Sequence, residues 1–148
     1  MTEDQTSRVT DAGWRIRWDA ARARDAYDAG WWRQETCADA LSRAAAEDPD
    51  RILLIDGTVR LSAGELHTRA ERLARALLSR FAPGSVVSFM LPNWHEAAEI
   101  YLAATLAGMV AHPVLPSLRE HDLRFMLADI AAPSSSSPPR FAVTTMGQ

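Results

Sequence analysis

The 148-residue chain contains no lysine, since all sixteen of its basic residues are arginine. A Walker-type phosphate loop, a Schiff-base lysine and a lysine general base are therefore excluded within this sequence. Its single cysteine, Cys37, excludes both an internal disulfide and a four-cysteine zinc site. The seven glycines are scattered and form no cluster that could cradle a phosphate group.

Long apolar runs and an excess of basic charge are also missing. No stretch reaches the roughly 18 apolar residues of a membrane span, and the polar N-terminus lacks the apolar core of a secretory signal, so we expect a cytoplasmic protein. The arginines are interleaved with nineteen acidic residues, for a net charge of −3, which disfavours a nucleic-acid partner. With 47% apolar residues, one globular domain is expected at this length.

Apolar periodicity and capping residues predict an α/β fold. Asn93 is the expected cap of one helix, with Glu96 at its third position. The other expected caps pair a Ser or Thr with an acidic residue three positions later: Thr36 with Asp39, Ser62 with Glu65, and Ser117 with Glu120. In chain order we expect a loose segment (1–12), a surface helix (14–30), a helix (36–47), a hairpin (51–56 with 59–61), a helix (62–78), a strand (85–91), a helix (93–107), a strand (109–115) and a helix (117–129).

The apolar strands 85–91 and 109–115 predict a short, largely parallel sheet, joined by a right-handed crossover and flanked by capped helices. After the last helix the fold calls for another strand, but the sequence becomes rich in Ser and Pro and loses its pattern. We therefore divide the chain into a polar segment with a surface helix (1–30), an incomplete α/β domain (31–130) and an irregular tail (131–148).

Residues 95–99 read HEAAE, one residue away from the HExxH zinc motif. On a helix, His95 and Glu99 would share a face and could hold a metal ion together with a third ligand. The alternative is that Glu96 caps the helix and His95 lies on its solvated first turn. We favour this alternative because capping already explains Glu96.

Two further histidines are candidates for chemistry. His112 could line a pocket at the carboxyl end of a parallel sheet, but we favour a core histidine with satisfied hydrogen bonds. His121 lies between Glu120 and Asp122, and adjacent helical residues point in different directions, so this triplet is predicted to be solvated surface.

Two other features have an ordinary structural interpretation. The pair Trp31 and Trp32 could stack a ligand, but a hydrophobic anchor for the N-terminal helix is favoured. Nothing ties Cys37 to a particular histidine, so a catalytic thiol is not expected. The sequence therefore assigns no catalytic, cofactor-binding or metal-binding residue.

Several short segments, taken in order, nevertheless form a known pattern. The chain resembles, over about residues 28–130, the N-terminal portion of the AMP-forming acyl-CoA synthetases, in particular the medium-chain or cyclic-acid CoA ligases. The matching segments are 30–32 (GWW), 36–41 (TCADAL), 48–57 (DPDRILLIDG), 61–66 (LSAGEL), 83–87 (PGSVV), 91–94 (LPNW) with 96–98 (EAA), and 112–116 (HPVLP).

The resemblance implies part of the N-terminal domain of the adenylate-forming ligase fold. Members of that family join a carboxylic acid to ATP, release pyrophosphate and transfer the acyl group to coenzyme A, so ATP, Mg²⁺ and CoA are the implied ligands. The family's phosphate loop, ribose-binding aspartate and catalytic lysine lie beyond the matching segments. No catalytic residue is therefore carried over to this sequence.

We accordingly expect a truncated ligase that is inactive alone. Read in a shifted frame of a GC-rich gene, the serine run 134–137 could become a valine-rich strand, which suggests a frameshift. The alternatives are a non-catalytic binding or regulatory module and one half of a split acyl-CoA ligase. The expected partner is a second copy or a ligase chain, bound through an uncovered edge of the sheet.

Overall fold

The computed structural model describes residues 7–10, 15–131 and 141–144, the last four and residue 131 as backbone only. Helices and strands alternate over most of this length, as the apolar pattern predicts. The elements are β1 (Ser7–Val9), β2 (Arg15–Arg17), α1 (Ala20–Asp28), α2 (Cys37–Glu47), β3 (Ile52–Asp56), β4 (Val59–Ser62), α3 (Ala63–Leu78), β5 (Val86–Met90), α4 (His95–Leu106), β6 (Val110–Val114), α5 (Glu120–Ala131) and β7 (Phe141–Thr144).

The main sheet has three parallel strands in the order β6-β5-β7. Its central strand β5 is buried along most of its length, which explains its nearly continuous apolar sequence. Val86 pairs with Val110 of β6 on one side and with Phe141 of β7 on the other. The predicted strand–helix–strand unit β5-α4-β6 is therefore confirmed as parallel. Two antiparallel pairs, β1-β2 and β3-β4, accompany the main sheet.

Two of the predicted capping boxes are present. At the start of α2, the Asp39 N–H donates to Thr36 Oγ1 at 3.2 Å, and the Thr36 N–H donates to Asp39 Oδ2 at 2.8 Å. At the start of α3, Ser62 and Glu65 exchange the same pair of bonds at 3.3 and 3.0 Å. Each box satisfies backbone donors that a helix N-terminus otherwise leaves unpaired.

The core lies between α3, α4 and the main sheet. One cluster joins β5 and the start of β6 to the two helices, with alanines allowing close helix approach: Ala74, Val87, Ala103, Ala104, Ala107 and Met109. A second cluster joins α2, β4 and α3 through Leu41, Leu61, Leu66 and Ala70. Leu61, just before the Ser62 cap, and Leu66 in the first turns of α3 belong to this cluster and occupy the two positions of a hydrophobic staple.

The N-terminal part of the chain differs from the prediction. Residues 15–17 form a strand rather than the start of a helix, and residues 7–9 of the segment expected to be loose pair with them. The helix begins only at Ala20, because the Asp19 carboxylate accepts hydrogen bonds from the N–H groups of Ala21 and Arg22 and fixes the helix start there. Residues 1–6 and 11–14 lie outside the described part.

Two later helix starts are also corrected. The residue before α4 is Trp94, not Asn93, and its side chain makes no capping hydrogen bond. Glu96 is consequently the second residue of this helix. Helix α5 begins at Glu120, and the Arg119 N–H donates to Asp122 Oδ2 at 3.3 Å, whereas Ser117 lies outside this cap.

The segment 131–148, predicted to be irregular, contributes two regular pieces. Helix α5 extends to Ala131, and residues 141–144 form β7 against β5. The sequence of β7, FAVT, consists largely of residues that favour strands. Four such residues after a Ser/Pro-rich run are too few to predict a strand from the sequence. The serine run 134–137 lies outside the described residues. No helix within the described ranges is long and apolar enough to cross a membrane.

Candidate functional site

The candidate site lies where the turn between β3 and β4 meets the first residue of α4. Asp56 ends β3, and Gly57 then turns the chain with a φ of +56°, a conformation that favours glycine. Helix α4 starts at His95 and places Glu96 beside it. The hairpin turn and the helix N-terminus thereby bring three ionisable side chains together.

One oxygen of Asp56 makes two contacts with His95. Oδ2 of Asp56 accepts a hydrogen bond from the backbone N–H of His95 at 2.9 Å and lies 3.0 Å from its Nδ1. An ionised carboxylate can only accept hydrogen bonds, so the ring proton of this pair lies on Nδ1. Hydrogen bonds from the His95 side chain, and secondarily from its backbone, lower the pKa of Asp56.

Glu96 is the third member of the group, but one oxygen of its carboxylate accepts no hydrogen bond from the other two residues. Its Oε2 lies 3.2 Å from Nδ1 of His95, yet it is buried and has no hydrogen-bond partner within the described ranges. The proton on Nδ1 goes to Asp56, the closer acceptor, and leaves this oxygen of Glu96 without a hydrogen bond from the ring. Donor atoms of Asp56, His95 and Glu96 all lie within 4.8 Å of one another.

The structure rearranges the expected HEAAE site. Glu99 does not join His95, because its carboxylate accepts a hydrogen bond from Nη1 of Arg69 on α3 at 2.9 Å. Glu96 does not cap the helix either, so the favoured explanation of this residue is also wrong. Sequence reasoning missed Asp56, which lies 39 residues before His95 and carries no local signal for this contact.

His112 is satisfied within the sheet. Its Nδ1 lies 3.0 Å from the hydroxyl of Ser88, its register partner on the neighbouring strand. Ser88 is buried, and His112 is half-buried. This arrangement agrees with the interpretation of His112 as a core histidine with a satisfied hydrogen bond.

The triplet around His121 occupies an exposed helix surface, as predicted. Glu120 accepts a hydrogen bond from Nε of Arg124 one turn later, at 3.0 Å, and Asp122 contacts the backbone of Arg119. The three side chains therefore form no common site.

The tryptophan pair is split between two environments. Trp32 packs against Tyr27 of α1, with ring centroids 5.6 Å apart, and against Trp18 at 6.2 Å, so it anchors the N-terminal helix as expected. Trp31 is exposed, and so is the thiol of Cys37 at the start of α2.

A shallow open groove of about 390 Å³ runs along the first turns of α3. Its charged residues have both signs, and its arginine is already paired with Glu99. The lining residues are Pro49, Asp50, Ser62, Gly64, Glu65, Thr68 and Arg69. This mixture of paired charges and a capping box gives the groove no evident preference for a phosphate group.

The family is decided by comparison with known proteins. Residues 41–133 match the model of the AMP-binding enzyme family. The chain belongs to that family. Its α/β fold is that of the N-terminal domain of the adenylate-forming ligases, as the sequence resemblance predicts. In the apo structure of Mycobacterium smegmatis MbtA, the similar region covers 80% of this chain and 22% of MbtA, with 33% identity and a TM-score of 0.68.

Two curated relatives show the range within the family. A salicylyl-CoA synthase / salicylate adenylyltransferase of a Streptomyces species is 34% identical over 120 residues, which are 80% of this chain and 22% of the relative. The medium-chain fatty-acid–CoA ligase of Escherichia coli K12 is 33% identical over 117 residues, 78% of this chain and 21% of the relative. The chain thus spans about a fifth of the length of these relatives.

Proposed function

We propose that this chain serves as the N-terminal part of a ligase that activates a carboxylic acid with ATP and transfers the acyl group to a thiol such as that of CoA. The family match over residues 41–133 is the observation that carries the proposal. The names of two relatives, a salicylate adenylyltransferase and a medium-chain fatty-acid–CoA ligase, support a carboxylic acid as the substrate class.

Within this function the chain acts as scaffold and is inactive alone. Activation of an acid by ATP requires cations and oriented donors on the departing pyrophosphate. The sequence has no lysine, and several arginines are already engaged by carboxylates: Arg43 with Glu35, Arg69 with Glu99, Arg75 with Glu71, and Arg124 with Glu120. The LSAGEL segment at 61–66 supplies a capping box and core leucines instead of phosphate ligands.

The remaining part of such a ligase would also cover apolar surface. Leu115, just after β6, is 67% exposed, and Phe125 on α5 is 71% exposed, while Val110 of β6 is also exposed. Strand β6 lies at an edge of the three-stranded sheet. We propose that this surface packs against further ligase polypeptide, because exposed apolar side chains beside a strand edge favour association. Cytoplasmic location is part of the same proposal.

The first experiment measures acid activation by the purified 148-residue chain. Salicylate and octanoate are each supplied with Mg²⁺ and ATP, and exchange of labelled pyrophosphate into ATP is recorded. We expect no exchange above background with either acid. Exchange by this chain would contradict the scaffold role.

A graft tests the family function directly. Residues 36–131 replace the matching segment of the Escherichia coli medium-chain fatty-acid–CoA ligase, and octanoyl-CoA formation is measured. We expect measurable activity from this graft and none from a matched graft carrying Val87→Asp, which places a charge in the sheet core. A graft that folds, as judged by circular dichroism, but forms no octanoyl-CoA would contradict the proposal.

A further inference from the structure

The cluster at the start of α4 contains a carboxylate oxygen without a partner. Oε2 of Glu96 is buried and accepts no hydrogen bond within the described part of the chain. Nδ1 of His95 lies 3.2 Å from it, but the proton on Nδ1 is directed to Oδ2 of Asp56 at 3.0 Å. One proton thus faces two carboxylates, and a buried acceptor left unpaired destabilises the folded state.

A divalent cation would satisfy all three groups at once. In a tetrahedral zinc site with bonds of about 2.0–2.1 Å, neighbouring ligand atoms lie about 3.3 Å apart. The separations of 3.0 and 3.2 Å between Nδ1 and the two oxygens are close to that edge length. Two carboxylates and a neutral imidazole carry a charge of −2, which would cancel the charge of the ion.

We propose that Asp56, His95 and Glu96 bind one divalent transition-metal ion, with Zn²⁺ as the representative ion. An imidazole ligand beside two carboxylates favours Zn²⁺ and similar ions over Mg²⁺ and Ca²⁺, which prefer oxygen alone. When Nδ1 binds the ion, the neutral ring carries its one proton on Nε2. This site is formed by residues of this chain alone, and the proposal does not depend on the acid-activating function.

The site is partly exposed, so a water molecule can act as a further ligand of the ion. The side chains of His95, Asp56 and Glu96 are 18%, 30% and 32% exposed, so water can reach the cluster. Three protein ligands and one water complete a tetrahedron. The ion would hold the β3–β4 turn against the first turn of α4, together with the hydrogen bond from the His95 backbone to Asp56.

Isothermal titration of the full 148-residue chain with ZnCl₂ tests the proposal. We expect one ion per chain, and a loss of affinity of more than about 100-fold for Glu96→Gln and for Asp56→Asn, since even supporting residues around a metal change affinity 10–100-fold. The matched control is His121→Gln, which removes an exposed histidine flanked by two acids and should leave the affinity unchanged. Equal affinity of the wild-type and Glu96→Gln chains would overturn the site.

A second measurement keeps the test decisive if a variant fails to fold. Two-bond ¹H–¹⁵N NMR spectra of the wild-type chain report each ring nitrogen of His95 separately. We expect Zn²⁺ to shift the Nδ1 resonance of His95 much more than that of Nε2, while His121 stays unchanged. An unchanged Nδ1 resonance at saturating Zn²⁺ would show that Nδ1 keeps its proton for Asp56 and binds no metal, which would overturn the site.

Discussion

Asp56 and His95 are 39 residues apart in the chain, yet one oxygen of Asp56 accepts hydrogen bonds from both the backbone and the ring of His95, at 2.9 and 3.0 Å. Helix α4 has no side-chain cap of its own, so a residue of the β3–β4 hairpin satisfies its first backbone N–H. The hairpin and the helix therefore stabilise each other, and the cap depends on the tertiary fold.

Removal of the Asp56 carboxylate should accordingly destabilise the whole domain. For Asp56→Ala we expect a lower midpoint of urea denaturation, because the His95 N–H and ring lose their acceptor. Asp28→Ala, at the exposed end of α1, serves as the control and should leave the midpoint nearly unchanged. Equal midpoints for the wild-type chain and Asp56→Ala would contradict this tertiary cap.

The Ser62 capping box should make a measurable contribution to stability. Ser62→Ala removes the acceptor of the Glu65 N–H and should lower the free energy of unfolding by about 1 kcal/mol. Thr68→Ala, at an exposed position of the same helix, is the control and should have little effect or a slightly stabilising one. Chemical denaturation followed by circular dichroism measures both variants, and equal effects would argue against the cap.

The second capping box predicts a pH dependence. Hydrogen bonds from the side chain and then the backbone of Thr36 lower the pKa of Asp39. Asp39 therefore stabilises the folded state fully above its unfolded pKa, and this contribution is lost as the pH falls through the lower folded pKa. Between pH 5 and pH 2, we expect wild-type stability to fall more than that of Asp39→Asn in urea titrations. Parallel pH profiles of the two chains would contradict the role of this carboxylate.

The sequence predicts those caps whose partners are close together. Thr36 with Asp39 and Ser62 with Glu65 lie three residues apart, so their geometry follows from the local helix start. Asn93 failed as a cap because Asp56 reaches the same helix end from another element. This capping interaction depends on tertiary packing, which cannot be predicted from neighbouring residues in the sequence.

The strands also differ in whether local sequence predicts their pairing. The central position of β5 follows from its apolar sequence, and its parallel pairing with β6 follows from the helix between them. The short strand β7 has only four residues and pairs with β5 across more than 50 positions, so local pattern could not reveal it. The candidate metal ligands divide in the same way, since His95 and Glu96 are adjacent whereas Asp56 comes from the hairpin.

The close approach of α3 to Pro49 leads to a final prediction. The N–H of Gly64 donates to the carbonyl of Pro49 at 2.9 Å, and a Cβ at Gly64 would lie 3.1 Å from Cβ of Pro49 and 3.2 Å from its oxygen. Gly64→Val should therefore force the turn before β3 away from the helix and lower the free energy of unfolding by about 1–3 kcal/mol. Ala76→Val, at an exposed position of α3, controls for the helix propensity of valine and should cost about 0.6 kcal/mol. Denaturation curves measure both variants, and an unchanged or higher stability of Gly64→Val would mean that the turn yields without cost, because valine is a better helix former than glycine.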